Sequence, residues 1–192
     1  MHRLAELSRY LIPAFWLIWL AGWAIAARDV KPTRWRESTA EGARNRIPVL
    51  IGAVLIAAPQ ILPAVLSHRL LPPGAAGPAV GTLLVGAGLG FAGWSRWHLG
   101  RNWSGNVTVK EGHTLIRSGP YRLVRHPIYS GMVLALFGTA LAIGEARAFI
   151  GAALILIGFV LKLQVEEARM RETFPEYIDY SRRTARLIPG LY

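Results

Sequence analysis

Apolar residues gather in five blocks: Tyr10 to Ala27, Ile47 to Leu66, Ala79 to Trp94, Ile128 to Gly144 and Ala148 to Leu161. Each is near or slightly under the roughly 20 residues that a bilayer-spanning helix requires. In hydrocarbon every backbone amide must find its partner within the chain, so these blocks predict helices. The expected fold class is all-α, a polytopic integral membrane protein with about five transmembrane helices. The polar interruptions set the connections. Leu71-Pro72-Pro73-Gly74-Ala75-Ala76-Gly77-Pro78 cannot continue a helix, because proline lacks an amide donor and glycine is flexible, and it predicts an outer-side turn. Glu145-Ala146-Arg147 is too short for anything but a tight turn, so the last two blocks form a helical hairpin. Its open ends, the Arg125 to Tyr129 segment and the Lys162 to Glu167 segment, then meet on one membrane face although they lie about 40 residues apart.

Charge gives the orientation. Of 22 Lys and Arg residues, six fall between Arg28 and Arg46, six between Arg96 and Arg125, and six from Lys162 to Arg186. Arg3, Arg9, Arg69 and Arg147 are the remainder. The positive-inside rule therefore puts the N-terminus outside, and the 28–46 loop, the 96–125 stretch and the C-terminal tail in the cytoplasm. The Arg28 to Arg46 segment reads as a surface helix or ordered loop resting on anionic headgroups. A formal charge of +11 on a chain that is 53% hydrophobic suits a membrane protein and argues against nucleic acid as a partner. An Ala-, Gly- and Arg-rich composition suggests a bacterial chain, hence the inner membrane. The first block is Trp-rich and lacks a small-residue cleavage site, so it reads as a span and not as a cleavable leader.

With no cysteine there is no disulfide, thiolate ligand or thiol nucleophile. No histidine pair has helical metal spacing, so no metal site is expected. Gly88-Leu89-Gly90-Phe91-Ala92-Gly93 spells G-x-G-x-x-G, but inside one apolar block, without the strand and helix that a dinucleotide fingerprint needs. Gly86 to Gly90 is also G-x-x-x-G, and close helix packing is the expected use of these glycines. The polar chemistry is concentrated elsewhere, in Gly112 to Leu115, Gly119 to Arg122 and Arg125 to Gly131, at the mouth of the membrane region. Ionisable groups are costly there unless they bind something. His126 precedes Pro127, which makes Pro127 the first residue of the fourth helix and puts His126 near a helix N-terminus that favours anionic groups. Glu166 and Glu167 follow the fifth block directly. A functional role is favoured for Glu166, whereas Glu167 has the alternative of pairing with Arg171 one turn on.

Gly112-His113-x-Leu115, Gly119-Pro120-Tyr121, Arg125-His126-Pro127-x-Tyr129-x-Gly131, Glu166-Glu167, Phe174, Tyr177, Tyr180 and the closing Ile188-Pro189 resemble the isoprenylcysteine carboxyl methyltransferase family. Leu99-Gly100-Arg101-Asn102-Trp103 is similar to that family's approach to its catalytic region. The resemblance covers about Arg96 to Pro189. It implies an S-adenosylmethionine-dependent methyltransferase whose residues 1–95 are three membrane helices with a basic loop. Residues 96–192 would be the catalytic, cofactor-binding region with the hairpin and a C-terminal cytoplasmic helix. It further implies a cofactor shell of His113, Thr114, Leu115 and Ile116, then Tyr121, then Arg125, His126, Pro127, Ile128 and Tyr129, closed by Glu166 or Glu167, with Glu166 in the better register. Arg96, Arg101 and Lys162 would orient a substrate carboxylate; Lys162 stands where the family carries an arginine. The implied partners are membrane lipid and a lipophilic or prenylated substrate, most simply an isoprenylcysteine-like carboxylate. The alternatives are a phospholipid amine or small thiol acceptor, or a sterol-reductase-like enzyme using NADPH.

Overall fold

The structure, a computed structural model, describes residues 2–28, 33–36, 39–103, 108–110 and 115–191. It is built from α1 (His2–Ala26), β1 (Thr33–Arg36), α2 (Thr39–Ala57), α3 (Ala76–Leu99), β2 (Thr108–Lys110), α4 (Pro127–Ile143), α5 (Ala146–Thr173) and α6 (Tyr177–Arg183), with short 3-10 turns between. The fold is all-α as expected. A small antiparallel ribbon is added, in which Thr33, Trp35 and Arg36 of β1 lie opposite Lys110, Val109 and Thr108 of β2. Part of the basic 28–46 loop is thus a strand paired to the motif region, and a further part is helix.

Three helices are long and apolar enough to cross a membrane: α1 over Ala5–Ala26, α3 with the turn after it over Ala76–Asn102, and α5 over Ala146–Thr173. The apolar α4 is shorter, at 17 residues. The second apolar block is not one continuous helix. α2 starts in the polar segment at Thr39 and ends at Ala57, after which Pro59 and Pro63 each open or flank a short 3-10 turn. The Pro- and Gly-rich turn before α3 is also shorter than the sequence suggests. Gly77 and Pro78 belong to the first turn of α3, where a missing amide costs nothing.

The five long helices pack in the order α1, α3, α4, α5, α2, and the closest pairs are α3 with α4 and α2 with α5. The expected glycine packing holds at Gly88 and not at its neighbours. Gly90 and Gly93 face open space, and Gly86 meets only the Phe15 ring. The contact is made by Gly81 and Gly88 against Gly138 and Gly131. A Cβ on Gly88 would stand 2.5 Å from the Gly131 carbonyl oxygen and 2.7 Å from the Ala135 amide nitrogen. Only glycine lets these backbones touch. Gly131→Leu is expected to pry α3 from α4 and to cost on the order of 1–3 kcal/mol. A thermal unfolding midpoint in detergent equal to that of the parent chain would refute this packing.

Leu136 and Ala140 of α4 join Ala148, Ala152, Ile155 and Phe159 of α5 in one core cluster, and Ile12, Val85, Leu89 and Ala135 form a second. Trp16 packs against both and donates from Nε1 to Thr139 Oγ1 at 3.1 Å. The hairpin turn is stapled from outside. Arg147 Nη1 donates to the Leu55 and Ile56 carbonyls at 3.0 and 2.8 Å, while its Nε meets Glu145 at 2.7 Å. A cation thus satisfies the last carbonyls of α2, which is the favoured charge at a helix C-terminus.

Candidate active site

The α4–α5 hairpin brings its open ends together as the spacing predicts. Pro127 is the first residue of α4 and His126 its cap, with φ −126° and ψ 61°, outside helical geometry as a residue before proline should be. Two neighbouring glutamates at the end of α5 face this turn and have different surroundings.

Glu166, 19% exposed, accepts a hydrogen bond from the Tyr129 hydroxyl at 2.9 Å. Lys162 Nζ lies 3.8 Å from Glu166 Oε1, one helical turn back, and 5.6 Å above the Tyr129 ring. His126 Nδ1 stands 3.8 Å from Glu166 Oε2. Tyr129 also meets Phe159 edge-to-face at 5.0 Å, so this polar group borders the apolar core directly. These four residues are a carboxylate, a phenol, an imidazole and an ammonium at the base of the membrane helices.

Glu167 is 1% exposed and is the hub of a buried cluster. It receives Arg125 Nε at 3.0 Å, Arg186 Nε at 3.1 Å, Arg186 Nη2 at 2.7 Å and Arg171 Nη2 at 3.3 Å, and His126 Nε2 lies 3.2 Å away. The Arg171 pair is the four-residue spacing expected from sequence. Arg125 also donates to the Ser181 carbonyl at 2.6 Å and to the Thr184 carbonyl. The C-terminal segment seals the same turn: the Arg125 amide donates to the Ala185 carbonyl at 2.8 Å, the His126 amide to the Arg186 carbonyl at 3.1 Å, and Ser130 Oγ to the Leu187 carbonyl at 2.5 Å. Glu167 therefore sets the histidine that Glu166 faces.

The other expected site residues fall in several places. Pro127 and Ile128 are buried in the first turn of α4. Tyr121 is buried, with its hydroxyl donating to the Ser95 carbonyl at 3.4 Å and its own carbonyl accepting from Tyr180 Oη at 2.6 Å. Burial pushes the Tyr180 hydroxyl up to about 12 and those of Tyr121 and Tyr177 higher, so all three stay protonated near neutrality. Leu115 packs on the cluster of Phe174, Tyr177 and Tyr180, and Ile116 is half-buried beside it in sequence. His113 and Thr114 lie outside the described residues. Arg96 is buried, donates to the Gly100 carbonyl at 2.7 Å and the Ala26 carbonyl at 2.6 Å, and sits over the Trp103 ring at 4.7 Å. It joins the C-terminal ends of α1 and α3, an arrangement that occupies both terminal nitrogens. Arg101 is exposed on the turn after α3. Among the described residues no group of three His, Asp or Glu side chains could hold a metal ion.

The profile of the family described as phospholipid methyltransferase (PEMT) matches residues 77–177, more than half of the chain. The chain belongs to this family. The matched region includes α3, the motif turn, the hairpin and both glutamates, so the family match and the polar cluster coincide. The cobalt-zinc-cadmium resistance protein CzcN of Cupriavidus metallidurans is 33% identical over 108 residues, 54% of this chain and 49% of that protein. A probable protein-S-isoprenylcysteine O-methyltransferase of Oryza sativa is 32% identical over 85 residues, 43% of this chain and 44% of that protein. The chain spans about half the length of the curated relatives it matches. In fold it resembles the eukaryotic intramembrane Ras methyltransferase ICMT, with a TM-score of 0.50 and 18% identity over 80% of this chain and 52% of that one.

Sequence reasoning missed Arg186 and Ser130. Both act through partners distant in sequence, and nothing local to either residue signals it.

Proposed function

We propose that the chain is a membrane methyltransferase using S-adenosylmethionine at its cytoplasmic face, with all five long helices in the membrane and the N-terminus outside. In this reading residues 1–95 are the scaffold and residues 96–192 the catalytic region. The observation that carries it is the convergence of Tyr129, Lys162, His126 and Glu166 at the inner end of the hairpin, within the stretch that matches the family. The donor set fits the cofactor. A partly exposed carboxylate beside a phenol and an imidazole can hold an ammonium and sugar hydroxyls, and Glu166 is open enough to receive them. When bound, S-adenosylmethionine supplies an electrophilic methyl on a sulfonium sulfur.

The chain's residues divide the remaining work. Glu166, with Tyr129 and His126, holds and orients the donor, and Glu167 with Arg125 keeps His126 in place. His113, Thr114 and Tyr121 complete the shell by resemblance. Phe159 and the apolar flank of Tyr129 exclude water, so that opposite charges attract in low dielectric. Lys162 and Arg101 orient the acceptor, while Arg96 holds the helix ends that frame it. A membrane-borne carboxylate, of the isoprenylcysteine kind named for the rice relative, needs no general base because it is ionised above a pKa of around 3.5. The alternative is a lipid amine, which the family's description favours and which must lose a proton before or during transfer.

The test is binding of S-adenosylmethionine to the purified chain, followed by methyl transfer to a prenylcysteine analogue and to a phospholipid amine across pH. With a carboxylate acceptor, activity should hold on the acid side of neutrality, and Lys162→Met should lower turnover roughly tenfold by removing one charge-assisted contact. A steep acid-side loss near neutrality with Lys162→Met silent would move the amine reading to first place. Failure to bind S-adenosylmethionine would sink both.

A further inference from the structure

The last turn of α3 and the turn Gly119–Arg122 meet at His98, a half-buried imidazole that the cofactor shell described above does not include. His98 Nε2 lies 2.9 Å from the Ser118 hydroxyl, a hydrogen bond between positions 20 residues apart. Its ring runs nearly parallel to that of Tyr121, at 24° and with centroids 6.4 Å apart. The same ring closes over Gly119. This glycine has φ +58°, in the left-handed region, and a Cβ built on it would stand 2.8 to 3.0 Å from three atoms of the imidazole. The imidazole therefore rests on backbone, which cannot yield as a flexible side chain would. Pro120 follows and restricts the chain direction, so the contact at Gly119 and the bond at Ser118 together set how the turn leans on α3.

Tyr121 is the residue that this lean controls. Its amide donates to the Ser118 carbonyl at 3.2 Å, so the residue gripped by His98 is bonded directly to Tyr121. Its hydroxyl reaches the Ser95 carbonyl, one turn of α3 before His98, at 3.4 Å, a long bond that a small rotation would break. The far side of the turn is held by α6, where Tyr180 Oη donates to the Tyr121 carbonyl at 2.6 Å. That bond fixes the Tyr121 backbone and leaves the direction of its ring to the α3 side. We infer that His98 is a positioning residue: through Ser118 and Gly119 it aims the Tyr121 side chain, and so tunes affinity for the cofactor without touching it. The inference rests on the reading in which Tyr121 belongs to the S-adenosylmethionine shell. His98 combines what phenylalanine and glutamine offer only separately, a flat face for Gly119 and Tyr121 and a nitrogen for Ser118.

The experiment uses the full chain purified in detergent, with S-adenosylmethionine and S-adenosylhomocysteine titrated calorimetrically into the parent and its variants. His98→Ala is expected to weaken both ligands by roughly three- to tenfold, the worth of one neutral hydrogen bond. His98→Gln keeps the bond to Ser118 and His98→Phe keeps the ring, so each should recover part of the loss. Ser118→Ala added to His98→Phe should cost nothing more, since the bond is already gone. In a Tyr121→Leu background, which lacks the aimed ring, His98→Ala should cost less than about twofold, whereas a merely structural histidine would cost the same in both backgrounds. A second readout needs no ligand. With carbon-13-labelled tyrosine rings, the Tyr121 resonance, assigned through Tyr121→Phe, should shift in Ser118→Ala, which leaves the imidazole in place and frees the turn to lean differently. Parent-like affinity in His98→Ala, an equal loss in the Tyr121→Leu background, or a Tyr121 resonance unmoved by Ser118→Ala would overturn the inference. A parent chain that binds neither ligand sinks the enzymatic reading instead, and the resonance then decides alone whether His98 aims the tyrosine.

Discussion

Glu167→Gln is expected to lower the thermal unfolding midpoint by on the order of 10 °C, more than any other single change in the polar cluster at the open end of the hairpin. The glutamate is 1% exposed and accepts from three arginines, with His126 beside it. The amide keeps the shape and one acceptor oxygen but removes the negative charge, and its new NH2 points donors at guanidiniums that are themselves donors. Arg125 cannot withdraw, since its Nη1 is held by the Ser181 and Thr184 carbonyls. Breaking a buried ion pair from one side costs about 3–5 kcal/mol, because the remaining charge stays buried without compensation. Much of the loss should be recovered by a second change, Arg186→Met, which removes one of the stranded cations. A midpoint within a degree or two of the parent would show that Glu167 is not the hub.

The hairpin and its consequence were readable from pattern alone. A three-residue gap between two apolar blocks forces antiparallel neighbours, which is enough to bring Tyr129 to Glu166 and Arg125 to Glu167. The Glu167–Arg171 pair was readable because i,i+4 spacing is local geometry. The partners of α3 were not. Gly81, Gly88, Gly86 and Gly90 all recur at spacings near whole helical turns, so the letters offer two glycine faces, and only the surface of α4, with Gly131 and Gly138, selects one. α2 misled in the opposite way: a long apolar run concealed two prolines that end the helix. Arg186 was hidden because it reaches Glu167 through a parallel bridge between Val124 and Ala185, a pairing with no local signature. The carbonyl partners of Arg96, at Ala26 and Gly100, were not readable either, because the first lies 70 residues away on another helix.

Glu166→Gln is expected to weaken S-adenosylmethionine binding roughly ten- to hundredfold while leaving the unfolding midpoint nearly unchanged, the reverse of the weighting at Glu167. The range corresponds to losing one or two hydrogen bonds to a charged group, each worth about 1.5–3 kcal/mol. The fold should not notice. Glu166 is partly exposed, its bond to Tyr129 can pass to the amide oxygen, and Lys162 can turn toward solvent. Tyr129→Phe tests whether the pair acts as a unit. If the phenol serves to aim the carboxylate, the double variant should lose little more than Glu166→Gln alone, and the coupling between the two positions should exceed about 0.5 kcal/mol. Independent, additive losses would mean that Tyr129 touches the cofactor by itself. A fall in midpoint as large as that of Glu167→Gln, with cofactor affinity intact, would collapse the distinction between the two glutamates and return the whole cluster to structure.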